Sequence, residues 1–269
     1  MRKIKNAVIL ILLPMLCILA SLMVGRYSMS LREIFDTLLL PAAADIEHYR
    51  VVWYLRLPRS VAAAMCGAAL AVSGAAFQGV FRNPLVNSGL LGVSNGAGFG
   101  ACVAIIFLGG GTFTYILSFA FAVLAVAMSW FAGRVSRVTT SVTLILGGVL
   151  VSSFFSALIS VMKFMADPYS QLPSITFWFM GSFASVNYVH FYSFIPMTLG
   201  MLLIYLSRWR INVLSMGDRE AAALGVDVKR YKFLIVGGAT LATASAVCIS
   251  GTIGWVGLVV PHIGRMIVG

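Results

Sequence analysis

Two short clusters of charged residues carry the chemistry legible in this sequence, and that chemistry is pairing, not bond making. Leu55-Arg56-Leu57-Pro58-Arg59 places two guanidinium groups within four residues, just ahead of a long apolar run. Arginine forks pair with carboxylates in a bidentate way. Arg56 and Arg59 are therefore candidate contacts for an acidic partner, the alternative being interfacial anchors whose stems snorkel along apolar surface. The second cluster is Ser215-Met216-Gly217-Asp218-Arg219-Glu220-Ala221-Ala222-Ala223-Leu224-Gly225-Val226. Asp218 or Gly217 can open a short helix there, Glu220 suits its positive end, the alanines propagate it and Gly225 can close it. Such a helix is too short and polar to cross a membrane. Its alanine surface offers a flat face for the groove of a cytoplasmic partner, a plain helical linker being the simpler alternative.

Catalysis finds no comparable support. His262 stands beside Pro261 with no second titratable group near it in sequence, so no acid, base or ligand role is assigned to it. Cys17, Cys66, Cys102 and Cys248 each stand alone in an apolar run without C-x-x-C spacing, which predicts small buried residues and neither a metal site nor a disulfide framework. The chain holds no G-x-x-x-x-G-K-[ST] and so does not hydrolyse ATP itself. No catalytic residue, metal or cofactor is expected, and an intramembrane enzyme would need converging nucleophile, base or metal ligands that this sequence does not show.

The elements that must position the two clusters are set by lipid. Of 269 residues, 60% are hydrophobic and 10% charged, with a mean hydropathy of +0.98, too little polar surface to cover a water-soluble globule. The apolar runs are continuous and rich in Leu, Ala, Gly and Met, which favours helices over the alternating strands of an outer-membrane barrel. Eight crossings are predicted, at 6–25, 60–80, 89–108, 113–132, 141–162, 190–207, 233–250 and a shorter 252–264. The first follows Arg2, Lys3 and Lys5 but is longer than a signal-peptide core and lacks a cleavage pattern, so it reads as a retained helix. With a cytoplasmic amino terminus, 13 of the 19 lysines and arginines fall on inner segments and 6 on outer ones, as the positive-inside rule requires. That topology also accounts for the net charge of +11 without nucleic acid, since the basic residues form no stripe with interleaved aromatics.

Helices 60–80 and 89–108 are rich in glycine and alanine, spaced to let backbones approach closely. Between them Asn83-Pro84 breaks the chain at the cytoplasmic face, and the following Gly89-Leu90-Leu91-Gly92-Val93-Ser94-Asn95-Gly96-Ala97 has the texture of irregular backbone lining a cavity.

Several stretches, in order along nearly the whole chain, resemble the FecCD-type permeases of ABC importers: R-L-P-R at 56–59, G-A-A-L-A-V-S-G-A-A-F-Q at 67–78, N-P-L at 83–85, L-G-V-S-N-G-A at 91–97, W-F-M-G-S-F at 178–183, E-A-A-A-L-G-V at 220–226 and G-W-V-G-L-V-V-P-H-I-G-R at 254–265. The resemblance implies an all-α polytopic permease of the bacterial cytoplasmic (inner) membrane, its path lying in a single transmembrane domain over 1–269. It implies as partners cytoplasmic ABC ATPase subunits, a second permease copy or paralogue, and an extracytoplasmic solute-binding protein. Carried over to this sequence, Arg56 and Arg59 face acidic residues of the binding protein. Asp218, Glu220, Ala221, Ala222, Leu224, Gly225 and Val226 form the ATPase-coupling loop within 208–232. Asn83 and Leu85, with Thr140 and Ser141, match the cytoplasmic gate. The implied cargo is an iron chelate (siderophore or haem) or cobalamin, some members carrying oxyanions. Family members continue past the P-H-x-x-R stretch to ten crossings, so this chain is expected to be a fragment lacking the last two.

The rival reading, an ion-coupled secondary carrier or channel, predicts carboxylates within the crossings or paired broken helices. No acidic residue falls in the middle of a predicted crossing, and signs of broken helices are weak.

Overall fold

The structure is a computed structural model describing residues 2–41, 44–134 and 141–268. Every regular element among them is helical. Helix α1 spans Arg2–Met23, α2 Leu31–Leu39 and α3 Ile46–Tyr49; α4 is Leu57–Phe81, α5 Val93–Leu108, α6 Thr112–Arg134 and α7 Ser141–Met165. They are followed by α8 Gln171–Met180, α9 Phe194–Leu206, α10 Arg208–Leu214, α11 Asp218–Ala223, α12 Val228–Ser250 and α13 Val256–Val268. Among the described residues, five helical stretches are long and apolar enough to cross a membrane: Ile46–Phe81, Thr112–Gly133, Val142–Met165, Tyr188–Leu206 and Val228–Ser250. Three shorter apolar ones, Ile11–Met23, Val93–Leu108 and Val256–Val268, fall on the other predicted crossings.

The chain forms two compact units. The first comprises Met1–Met65, Phe183–Tyr192 and Ile263–Gly269; the second comprises Cys66–Ser182 and Ser193–His262. In the first unit Ser30 caps α2, its hydroxyl accepting from the Glu33 amide while the Glu33 carboxylate accepts from the Ser30 amide, a capping box. Ile34 and Thr37 of α2 are buried, Ile34 in a cluster with Leu22, Met29 and Val52. The Trp53 indole N–H donates to the Thr37 carbonyl at 3.2 Å.

Proline is common in the first turn of a helix, but Pro58 stands inside a longer one. Helical backbone runs unbroken from Ile46 to Phe81, through a π-helical turn at Arg50–Arg56. A proline supplies no N–H to the ladder. The chain absorbs this by widening just before it, the Leu57 amide bonding to the Val52 carbonyl five residues back.

In the second unit α12 is the central element. Beyond Lys232 it carries no charged residue, and most of it is buried, as befits a helix enclosed by others. It packs on α5, α6 and α9. Helix α5 lies so close to α6 that a Cβ on Gly96 would strike the Phe121 carbonyl, and one on Gly100 that of Leu117, the close approach that small residues permit in lipid.

Three boundaries differ from the sequence reading. Helix α5 starts at Val93, not 89, because a 3-10 turn at Ser88–Leu91 ends in Gly92, whose φ of 87° suits only glycine well. Within this irregular stretch Leu91 and Val93 are buried, the Ser129 hydroxyl donates to the Leu91 carbonyl at 2.9 Å, and the Asn95 amide donates to that of Ser152 at 3.0 Å. The segment after Met165, between the crossings predicted at 141–162 and 190–207, contains α8, which packs on α5 through Ile175, Phe179 and Cys102. Helix α13 begins at Val256, not 252, because residues 251–255 are non-helical.

The non-helical stretch enters the bundle. Cys66 Sγ approaches the Ala246 carbonyl and Ser73 Oγ that of Ala239, so α4 and α12 run antiparallel. Gly257, only seven residues after Ser250, lies against Gly74, and Gln78 Nε2 donates to the Leu258 carbonyl at 3.3 Å. Residues 251–255 thus lead the chain back along α4, and α13 starts partway down the bundle.

Candidate coupling and docking sites

The candidate coupling site is assembled from α10, α11 and the start of α12. Gly217 precedes α11 with a φ of 146°, and the Ala221 amide bonds to its carbonyl at 2.9 Å. At the other end Gly225 has a φ of 79°. Its amide reaches the Ala222 carbonyl at 3.0 Å, and the Val226 amide reaches that of Ala221, also at 3.0 Å. This is a Schellman closure, with its apolar contact supplied by Ala221 and Val226, both in the buried core. The opposite side faces outward: Arg219, Glu220, Ala222, Ala223, Leu224 and Gly225 are exposed, Leu224 at 59%. A short helix with a small, partly apolar outer face fits a groove in another protein.

Asp218 does not share that outer face. Its Oδ2 accepts from Lys232 Nζ at 2.7 Å, joining α11 to the second turn of α12. Nothing in the sequence signals this pair, because fourteen residues and a loop separate the partners.

The gate candidates lie on the neighbouring turn. Asn83 Oδ1 accepts from the Leu85 amide at 2.9 Å, and Leu85 is 75% exposed. Arg82, with a φ of 52°, brings its Nη1 to 3.4 Å from where a Cβ on Gly217 would stand, so this turn adjoins the α11 loop. Ser141 begins α7, while Thr140 lies outside the described residues.

The outer candidates behave differently from one another. Arg56 is only 8% exposed. Its Nη1 donates to the Leu22 carbonyl at 2.5 Å and approaches that of Met23 at 3.5 Å, while Nη2 donates to the Tyr27 carbonyl. It satisfies carbonyls that the end of α1 would leave open. Arg59 is half-buried: Nη2 donates to the Ala184 carbonyl and Nε is buried with no hydrogen-bond partner. Around them Tyr49 meets Trp53 and Tyr54, Tyr54 meets Tyr188, and the Tyr188 hydroxyl donates to the Trp53 carbonyl at 2.6 Å. That aromatic cluster escaped the sequence reading, although an S-x-x-E signature at Ser30 to Glu33 and the density of Tyr and Trp at 49–54 mark the region. Among the described residues no group of His, Cys, Asp or Glu could hold a metal ion.

Long apolar helices, an interruption between α12 and α13 within the bundle and a short helix with an exposed face are the elements of a polytopic membrane permease. The chain belongs to the FecCD transport family, which matches it over residues 11–269, and it is the membrane-spanning permease component of an ABC importer. It is 40% identical to the molybdate import system permease protein MolB of Haemophilus influenzae, over 97% of this chain and 78% of that protein. It is 32% identical to the hemin transport system permease protein HmuU of Yersinia pestis, again over 97% of this chain and 78% of that protein. Among solved structures it resembles an inward-facing transporter assigned to the metal-chelate ABC type, with 39% identity and a TM-score of 0.84 over 97% of this chain and 80% of that one.

Proposed function

We propose that this permease carries a metal chelate, an iron chelate first among them, inward across the bacterial cytoplasmic membrane, with its amino terminus cytoplasmic. It is not itself an enzyme. It works with cytoplasmic ATPase subunits that dock on Asp218 to Val226, with a second permease copy or a paralogue, and with an extracytoplasmic solute-binding protein that meets the chain near Arg56 and Arg59. Asn83, Leu85, Thr140 and Ser141 form the cytoplasmic gate.

The observation that carries this reading is α11: a short helix closed at both ends by glycines, anchored inward by Ala221 and Val226, and presenting Ala222, Ala223 and Leu224 outward. ATP binding can favour one arrangement of the bundle over another only by contact with a part of it that moves, and α11 supplies such a contact. The chelate assignment draws support from the 39% identity to a metal-chelate type transporter. It is tested by ATP-driven uptake of labelled ferric siderophore, haem, cobalamin and molybdate into vesicles holding the complete importer. Saturable uptake of a chelate, with molybdate excluded, is expected; uptake of molybdate alone would replace the chelate with an oxyanion.

A further inference from the structure

We propose that Lys232 is a positioning residue for energy coupling: its ion pair with Asp218 clamps α11 to α12, so that α12 follows α11 as one body when the ATPase moves. The inference rests on the reading of α11 as the ATPase contact.

Helix α11 has six residues, far too few to hold a direction by its own hydrogen bonds. Its orientation comes from what it is tied to. One tie is apolar, Ala221 and Val226 in the core. The other is ionic: Lys232 Nζ lies 2.7 Å from Asp218 Oδ2, with the lysine side chain 3% exposed and the aspartate 31%. A buried ion pair is a poor means of gaining stability, because a well-packed apolar pair serves as well or better. What it does provide is register, since a charge enclosed to that degree must stay against the groups that neutralise it, Asp218 among them. The pair therefore fixes where the first turn of α11 stands on the second turn of α12.

The far end of α12 explains why that register matters. The helix is unbroken from Val228 to Ser250, which sets Lys232 about 27 Å from Ser250 at 1.5 Å per residue. At Ser250 the carbonyl accepts from the Ser182 amide at 2.8 Å, and Thr252 Oγ1 donates to the Phe179 carbonyl at 2.5 Å. Beyond it lies the non-helical stretch 251–255, in which Trp255 is 75% exposed. A packed helix of this kind moves as a body and does not compress. A displacement applied at Asp218 thus arrives at Gly251, where the chain leaves helical geometry and can rearrange.

The test uses the complete importer in proteoliposomes, with Cys17→Ala removing the exposed native thiol and Trp255→Cys providing a site for a water-soluble maleimide. Modification rates are compared without nucleotide and with ATP plus vanadate. In the Lys232 background the rate is expected to change by about fivefold or more between the two states, the lower range of ordinary site-to-site coupling. Lys232→Met should abolish the change while the ATPase stays bound and hydrolyses ATP. Lys232→Arg should restore it. A Lys232→Met assembly that keeps the full change overturns the inference, as does a Lys232→Arg variant that inserts and hydrolyses ATP yet stays as unresponsive as Lys232→Met. Absence of any nucleotide response with Lys232 intact, together with no ATPase association, would instead overturn the assignment of α11 as the ATPase contact.

Discussion

Arg56 Nη1 donates to the carbonyl oxygen of Leu22 at 2.5 Å, so the first arginine of the R-L-P-R motif holds the end of α1. Hydrogen bonds from a charged donor contribute about 1.5–3 kcal/mol each, and Arg56 reaches Tyr27 as well. Arg56→Met should lower the thermal midpoint of the purified permease by about 5 °C or more, at roughly 2–4 °C per kcal/mol for a chain of this size. Arg59→Met, which removes a single carbonyl contact, should shift it less and act mainly on affinity for the binding protein. Thermal unfolding and binding measured on both variants separate the two roles; equal midpoints would show that Arg56 does not cap α1.

Gly251 and Gly254 make a matched pair. Gly251 has a φ of 70°, and a Cβ there would strike the Trp178 carbonyl, while Gly254 has no neighbour within 4 Å of that position and no positive φ. Gly251→Ala is expected to cost about 2–4 kcal/mol from strain and overlap and to lose most folded protein. Gly254→Ala should be folded like the parent. Yield and monodispersity in detergent check both, and equal behaviour of the pair would contradict the path assigned to residues 251–255.

The outer face of α11 should separate hydrolysis from transport. Ala222→Trp places bulk on an exposed position without touching Ala221 or Val226, so insertion and the fold of the loop should survive. Transport per ATP hydrolysed is expected to fall about tenfold or more, equivalent to roughly 1.4 kcal/mol of coupling. Unchanged transport would show that the ATPase docks elsewhere.

Asp167 joins α7 to α8 outside the membrane spans. The Tyr169 amide, donating to its Oδ1 at 2.8 Å, and then the Ser170 hydroxyl, donating to Oδ2 at 2.9 Å, hold its carboxyl below the ordinary carboxylate range. A lowered folded pKa means that the turn gains stability above the unfolded value and loses it as pH falls through the folded one. Protease resistance of this turn should therefore be constant near neutrality and decline only in acid. Asp167→Asn should flatten that pH dependence, and an Asn variant that keeps the acid decline would assign it to another group.

Legibility in the sequence followed the range of the cause. Gly217 and Gly225 announced α11 because helix ends are set by a few adjacent residues. The apolar runs announced the crossings because lipid demands their length. The continuity of helix through Pro58 is not legible, because its missing amide is absorbed by a π turn that propensity does not encode. Helix α8 went unread because ten residues between Ser170 and Gly181 are too few for a crossing, and its apolar face is explained only by α5 beside it. Asp218 with Lys232, and Arg56 with Leu22, are long-range partners that single-sequence periodicity does not reveal. The family resemblance reached further than local reasoning because it compares whole arrangements, but it is silent on which arginine is buried.

The most direct test of the account is uptake of a labelled ferric chelate into vesicles containing this permease, with and without its ATPase subunit, its binding protein and internal ATP. Uptake is expected only when all three accompany the permease. Uptake driven by a proton or sodium gradient through the permease alone would contradict it.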